Sequence, residues 1–248
     1  MTGHPILFQP NMVEALQAGR KTQTRRMLKQ QGGTHMNRTV FPNGKTIGWI
    51  TDVPHKHGRE TAIIPYQTGD RLWAKEAHWA LGHWQKTDKL TKRGKPKRRF
   101  VRSLNEPVLF KAPDRVLSPV LNGTFGWYKR SSLFHPKADS RTTLLITDVR
   151  VQRLQDISEA DAVAEGVRML LEDSPADAWF SGIHKHSCFT GTMEGWHYND
   201  AKTAFRDLIN SINGPDTWEQ NPWVVAYSFK VDHRNFGVKS AHMKGAIT

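Results

Sequence analysis

Cysteine is nearly absent from this sequence: its 248 residues include one, Cys188. A single cysteine excludes an internal disulfide, and such a chain suits a reducing compartment. No apolar run approaches the roughly 20 residues that span a bilayer. The first residues, MTGHPILFQP, lack the charged start, long apolar middle and small-residue cleavage site of a signal peptide. We therefore expect a cytoplasmic protein that does not bind a membrane.

Acidic residues are also scarce. The chain has 23 Asp and Glu against 36 Lys and Arg, which gives a net charge of +13 and a pI near 10.0. Its hydrophobic content of 38% and charged content of 24% are those of a globular protein. The charge says nothing about the fold, but it favours polyanionic partners and raises their rate of encounter. Nucleic acid or nucleotides are the partners expected on this ground.

Local sequence patterns predict a mixed α+β fold with more strands than helices. Capping signals predict one helix from the cap Asn11 to Gly19 and another from the cap Ser158 to Gly166, and a helical apolar period predicts a third at 200–212. Short apolar or alternating runs predict strands at 5–8, 60–66, 71–76, 107–111, 142–154 and 223–231.

The chain contains no repeats and no linker that would divide it cleanly. We predict one domain over residues 1–232, with insertions at about 27–60, 83–102 and 167–198, and a flexible tail over 233–248. The second insertion carries nine Lys or Arg, so it is expected to be either a mobile basic loop or an extended hairpin.

Four blocks of sequence together resemble a known family. The first is GRKTQTRR, which fits the pattern G-x-K-x-x-T-x-R through Gly19, Lys21, Thr24 and Arg26. The others are GDRLWAKEAHW, SRTTLLITDVRVQRLQDISEADAVAEGV and FRDLINSINGPDTWEQNPWVVAYSF, in that order. The chain resembles the ASCH family of PUA-like domains, in the form found in phages and prophages. The matching blocks cover about half of the sequence.

The resemblance implies a small β-barrel flanked by short helices, with the G-x-K-x-x-T-x-R motif lining a cleft. Members of the family bind RNA or modified nucleobases, and some remove the acetyl group from N4-acetylcytidine. A lysine, a threonine and a later glutamate do the chemistry in those amidohydrolases, which implies Lys21, Thr24 and Glu76 here. At least one relative is described as a ribonuclease. A phage-encoded chain would work in the host cytoplasm.

The three residues have the chemistry that amide hydrolysis needs. A threonine hydroxyl requires an adjacent base, and Lys21 serves as one only if its pKa falls from about 10.4 toward neutrality. Burial and the nearby Arg25 or Arg26 would both lower that pKa. Glu76 would act as a general acid or orient the leaving amine. Each also has a plain structural reading: a solvated or phosphate-pairing lysine, a threonine that satisfies backbone groups, and a glutamate in an ion pair.

Further residues suit binding rather than chemistry. Thr22 is a reserve nucleophile near the substrate, Arg26 suits a phosphate or cleft-organising contact, and Trp79 is a candidate for stacking on a nucleobase. Six cations could follow a nucleic-acid backbone: Lys92, Arg93, Lys95, Lys97, Arg98 and Arg99. The alternative for this run is a solvated, charged surface.

We expect no metal and no other cofactor. The chain has imidazole and thiol groups of the types that bind zinc, but their spacing matches no standard zinc pattern. These groups are His55, His57, His184, His186, Cys188 and His197.

Three functions therefore follow from the sequence. The first is an amidohydrolase acting on N4-acetylcytidine or a related modified nucleobase. The second is a non-catalytic module of a phage that binds RNA, DNA or a modified base, with RNA favoured. The third is a ribonuclease, in which basic groups would stabilise a pentavalent phosphate.

Overall fold

A computed structural model describes the parts of the chain that carry most of the predicted elements. The described residues are 3–29, 31, 36–39, 48–52, 59–114, 123–170, 179–181 and 200–237.

Strands dominate the described chain. They are β1 (Gly3–Leu7), β2 (Gln23–Met27), β3 (Met36–Thr39), β4 (Gly48–Asp52), β5 (Arg59–Ile63), β6 (Arg71–Lys75), β7 (His78–Leu90), β8 (Pro96–Arg102), β9 (Gly126–Arg130), β10 (Thr143–Arg153), β11 (Arg168–Leu170), β12 (Trp179–Ser181) and β13 (Trp223–Asp232). The α-helices are α1 (Pro10–Gln17), α2 (Glu159–Ala164), α3 (Ala201–Asn213) and α4 (Thr217–Gln220). Three short 3-10 helices lie at Ser132–Phe134, Lys137–Asp139 and Leu154–Asp156.

The strands form one large sheet and three small ones. The large sheet has the strand order β1-β6-β10-β13-β2, so its neighbours come from distant parts of the chain. The small sheets have the orders β3-β4-β5, β8-β7-β9 and β11-β12. This is a mixed α and β fold made mostly of strands, as predicted. Among the described strands no closed barrel is seen.

The described chain separates into two compact units. The first takes its described residues from 1–4, 11–72 and 144–233, and the second takes its described residues from 5–10, 73–143 and 234–248. A single domain over residues 1–232 stays a prediction. Part of the predicted tail is anchored within the second unit, because Phe236 is buried and the Asn235 side chain donates hydrogen bonds to the carbonyls of Ala138 and Ser140.

The three predicted helices follow their local signals with one shift. Ser158 caps α2 by accepting a hydrogen bond from the Asp161 amide at 3.1 Å, as the sequence predicts. Asn11, predicted as the cap of α1, instead lies inside a helix that starts at Pro10. Proline suits that position, because its φ is already helical and its missing N–H is not needed in the first turn.

The structure corrects the strand predicted at 107–111 and decides between the two alternatives for the basic segment 83–102. Residues 107–111 were expected to form a strand, but within them only Leu109 forms a bridge, to Trp79. The basic segment 83–102 is a hairpin built from β7 and β8, the second of the two alternatives.

No helix among the described residues combines the length and the apolar character that crossing a bilayer requires.

Candidate functional site

Lys21 follows the C-terminal end of α1 and lies in the first unit. The helix ends through Gly19, whose φ of 71° is the left-handed conformation that glycine adopts without strain. The amides of Arg20 and Lys21 then both donate to the carbonyl of Ala15, at 2.9 and 3.2 Å. Lys21 is therefore held by the helix end itself, two residues before β2 begins.

The Lys21 side chain is buried, with 2% of its surface exposed. Its Nζ donates hydrogen bonds to the Oε2 of Glu165 at 2.6 Å and to the main-chain carbonyl of Glu165 at 2.8 Å. Burial lowers the pKa of Lys21, since removal from water disfavours the ammonium form. The Glu165 carboxylate opposes this lowering of the pKa, while the positive charges of Arg26 and Arg25 add to it.

Glu165 also pairs with a second buried cation. Its Oε1 accepts a hydrogen bond from Nη1 of Arg25 at 3.1 Å, and the other terminal nitrogen of Arg25 donates to Asp161 at 2.9 Å. Arg25 Nη1 donates as well to Gln23 at 2.6 Å. A buried charge without a partner costs several kcal/mol, so these contacts fix the positions of both cations.

The sequence interpretation missed Glu165, although a signal was present. The residue lies at the C-terminal end of α2, directly before Gly166. A carboxylate there faces the negative end of the helix dipole, which is unfavourable unless a cation compensates it. An acidic residue in that position is thus a sign of a tertiary partner, and the partners are Lys21 and Arg25.

The opposite face of β2 carries Thr24 and Arg26. Because side chains alternate along a strand, these two point away from Gln23 and Arg25. Nη1 of Arg26 donates a hydrogen bond to the buried hydroxyl of Thr24 at 3.0 Å and another to the carbonyl of Arg25 at 3.1 Å. Burial lowers the pKa of Arg26, with the charge of Glu165 acting in the opposite direction.

Aromatic rings lie on the Thr24 face. Tyr227 of β13 stands directly opposite Thr24 in the sheet. The ring of Tyr227 lies 5.3 Å from that of Tyr66, and Tyr66 lies 5.8 Å from the ring of His4. Burial raises the pKa of both tyrosines, so their hydroxyls stay protonated. The sequence did not predict that these three rings lie together. Sheet register brings them into contact, and no local sequence pattern indicates that register.

Thr22 turns its side chain to solvent. Its backbone is tied on both sides: its amide donates to the carbonyl of Ala164 at 2.8 Å, and its carbonyl accepts from the amide of Phe229 at 2.8 Å. The buried Thr24, rather than the exposed Thr22, is therefore the hydroxyl that the fold places beside Arg26.

Glu76 belongs to the second unit and is also buried. Its Oε2 accepts hydrogen bonds from Nη2 and Nε of Arg141, at 2.8 and 3.1 Å. The Arg141 guanidinium in turn lies over the ring of Phe110, 3.9 Å from its centre. Glu76 therefore takes part in an ion pair, as its structural interpretation expects, and Arg141 is a partner in it.

A histidine pair holds the backbone of Glu76. The Glu76 amide donates to Nδ1 of His135 at 2.9 Å, and Nδ1 of His78 lies 3.1 Å from the Glu76 carbonyl. Burial lowers the pKa of His135 to about 4, and the neighbouring His78 acts in the same direction. His135 is therefore neutral near pH 7 and accepts through Nδ1.

The predicted binding residues of the second unit lie on β7, on β8 and in the turn between them. Trp79 is half-buried, and its amide and carbonyl pair with Leu109 at 2.7 and 2.9 Å. The six predicted backbone-binding cations are all exposed: Lys92, Arg93, Lys95, Lys97, Arg98 and Arg99.

The ranges that the structure describes contain no group of three His, Cys, Asp or Glu side chains arranged to hold a metal. The six residues weighed as zinc ligands all lie outside those ranges, namely His55, His57, His184, His186, Cys188 and His197.

Comparisons with known protein families, with curated proteins and with solved structures find no match to this chain. The resemblance to the ASCH family thus rests on the four sequence blocks and stays a prediction.

Proposed function

We propose that the chain is an amidohydrolase that removes the acyl group from N4-acetylcytidine or a related modified nucleobase. The observation that supports this most is the burial of Lys21, because a lysine becomes a base near neutral pH only when its ammonium form is disfavoured. A solvated or phosphate-pairing lysine would instead be exposed. The PUA-like barrel and ASCH membership belong to the same proposal.

In the proposed reaction the first unit supplies nucleophile and base. Thr24 Oγ1 attacks the acyl carbon in the fraction of molecules in which buried Lys21 is neutral, its proton passes to Lys21, and Lys21 then gives the proton to the leaving amine. Water then hydrolyses the threonine ester and restores the hydroxyl. The hydrogen bond from Arg26 to Thr24 supports this role, because a guanidinium stabilises the negative charge of a forming alkoxide. The Tyr66 ring suits stacking on the base.

The role of Glu76 in this reaction remains the one that the resemblance implies, as a general acid or an orienting group. Its burial fits that role, whereas its hydrogen bonds with Arg141 fit a structural one. Glu76→Gln separates the two roles. Loss of turnover with unchanged thermal stability supports chemistry, and loss of both supports structure.

The proposal is tested by incubating purified protein with N4-acetylcytidine and following cytidine release by chromatography. Lys21→Met and Thr24→Val should each reduce release by a factor of about 100 or more, the usual contribution of a positioned base or nucleophile. Lys29→Met is the matched control, because it removes an exposed lysine of the same segment. No release by the unaltered protein, or equal release by Lys21→Met and Lys29→Met, would overturn the proposal.

A second candidate function is a nucleic-acid-binding module. Its support is the β7–β8 hairpin, where six cations of the turn and of β8 are exposed to solvent. Binding by such a surface weakens steeply with added salt, because phosphate contacts release counterions. Incubation with RNA also tests the ribonuclease alternative, since cleaved strands would appear in the same experiment.

A further inference from the structure

The β7–β8 hairpin has two unlike faces. Residues opposite each other in an antiparallel pair share a face, and the register places Trp84 opposite Phe100 and Lys86 opposite Arg98. Gln85 stands opposite Arg99 on the other face, which Lys97 shares by alternation along β8. The run of exposed cations is therefore divided between two surfaces.

The face of Trp84 and Phe100 carries a stack of rings around one guanidinium. Arg130 of β9 lies with its Cζ 4.8 Å from the ring centre of Trp84, 4.4 Å from that of Phe100 and 4.7 Å from that of Phe134. Each distance is within the range of a cation–π contact. We call Trp84, Lys86, Arg98, Phe100, Arg130 and Phe134 the stacking face.

Phe134 is the exposed member of this stack. It has 61% of its surface in solvent, and its neighbour Leu133 has the same exposure. The ring is held in place by Arg130, while Trp84 and Phe100 are half-buried beneath. A positioned, solvent-facing aromatic ring on the same unit as exposed cations offers a surface on which a nucleobase can stack.

We propose that the stacking face binds single-stranded nucleic acid, with a base on Phe134 and phosphates on Lys86 and Arg98. This inference rests on the second candidate function. Single strands offer both a planar base and a phosphate chain, and proteins bind them by this combination of aromatic rings and basic groups. A duplex hides the faces of its bases, and an acidic peptide has charge without regular planar groups. Charge and stacking together therefore favour the single strand.

The two faces supply matched variants with equal loss of charge. Lys86→Gln with Arg98→Gln alters the stacking face, and Lys97→Gln with Arg99→Gln alters the opposite face. Affinity is measured by fluorescence anisotropy with the full chain and a labelled oligouridine of about 12 nucleotides, a length that such surfaces cover. The first pair should weaken binding about tenfold or more and the second less than about threefold, because phosphate contacts act locally.

Phe134→Ala tests the stacking separately from charge. It should weaken oligouridine binding about tenfold, the usual effect of losing one stacked base, and leave binding to a duplex of equal length unchanged. Because Phe134 is exposed, the variant is expected to fold, and a thermal melt confirms this.

Several results would overturn the inference. Equal losses from both charge pairs would mean that the hairpin acts only through net charge, and the second candidate function would survive. Equal affinity for oligouridine and duplex, or for oligouridine and a polyglutamate peptide, would contradict the single-strand assignment. No binding of any oligonucleotide at low salt would remove both the stacking face and the second candidate function, without affecting the amidohydrolase.

Discussion

Lys21 and Arg25 lose their water on folding and gain the carboxylates of Glu165 and Asp161, whereas the six cations at 92–99 of the β7–β8 hairpin stay exposed to solvent. The physical reason is the low dielectric constant of the protein interior. Burying an ion there costs several kcal/mol unless a partner of opposite charge lies close to it. Buried cations therefore have fixed positions, and burial lowers the pKa of Lys21. Exposed cations attract anionic partners through the electrostatic field around them. The described residues include a region of each kind, and the two proposals of function divide in the same way.

The largest change in stability should come from removing the carboxylate that pairs with the two buried cations. Glu165→Gln removes the charge that both Lys21 and Arg25 face, and it should lower the free energy of unfolding by about 3–5 kcal/mol. Urea denaturation measures this change. Glu14→Gln, on the exposed side of α1, is the control and should stay within about 0.5 kcal/mol. Equal stability of the two variants would mean that a buried carboxylate with two cationic partners contributes no more to stability than an exposed one.

A smaller effect is expected at the base of the hairpin. A Cβ added to Gly82 would lie 2.2 Å from the carbonyl oxygen of Val101 and 2.8 Å from Cζ of Phe100. A backbone carbonyl has to move to admit it, so Gly82→Ala should cost about 1–3 kcal/mol of stability. Gln85→Ala, at an exposed position of the same strand, is the control, and a thermal melt compares them. An unchanged melting temperature in Gly82→Ala would show that the hairpin is not closely packed even there.

The smallest effect should come from the hairpin turn. Lys92→Gln with Arg93→Gln removes two exposed charges, and the free energy of unfolding should change by no more than about 0.5 kcal/mol. Urea denaturation at low and high salt measures this. A loss as large as that of Glu165→Gln would mean that the turn is bound into the fold, which would remove the contrast between the two regions.

Local signals were enough to predict three of the four described α-helices and most of the large sheet, but not the short helix α4. Ser158 and Gly166 delimit α2, and the apolar period of 200–212 corresponds to α3. Each of these signals lies within a few residues of the element that it defines. The predicted strand at 107–111 failed because an apolar run forms a strand only when a neighbour pairs along its length, and here one bridge is made.

The contacts of the candidate site could not be predicted in the same way. Lys21 and Glu165 are 144 positions apart, and no local pattern connects them. Motif spacing identified Lys21, Thr24 and Arg26, but not that Thr24 would share a face with Arg26 and Tyr227 while Arg25 faces Glu165. Strand alternation and sheet register decide those contacts, and register depends on the whole fold.

The pairing of β2 with β13 has a consequence for the timing of assembly. Gln23 and Ser228, which hydrogen-bond across these strands, are separated by 205 positions. At the usual speed of translation the second strand follows the first by roughly 10–40 s, whereas a hairpin forms within microseconds of its synthesis. On the ribosome, the basic hairpin is thus complete while Thr24 still lacks the strand that positions it. Under the two proposals of function, the surface for nucleic acid therefore forms long before the site for chemistry.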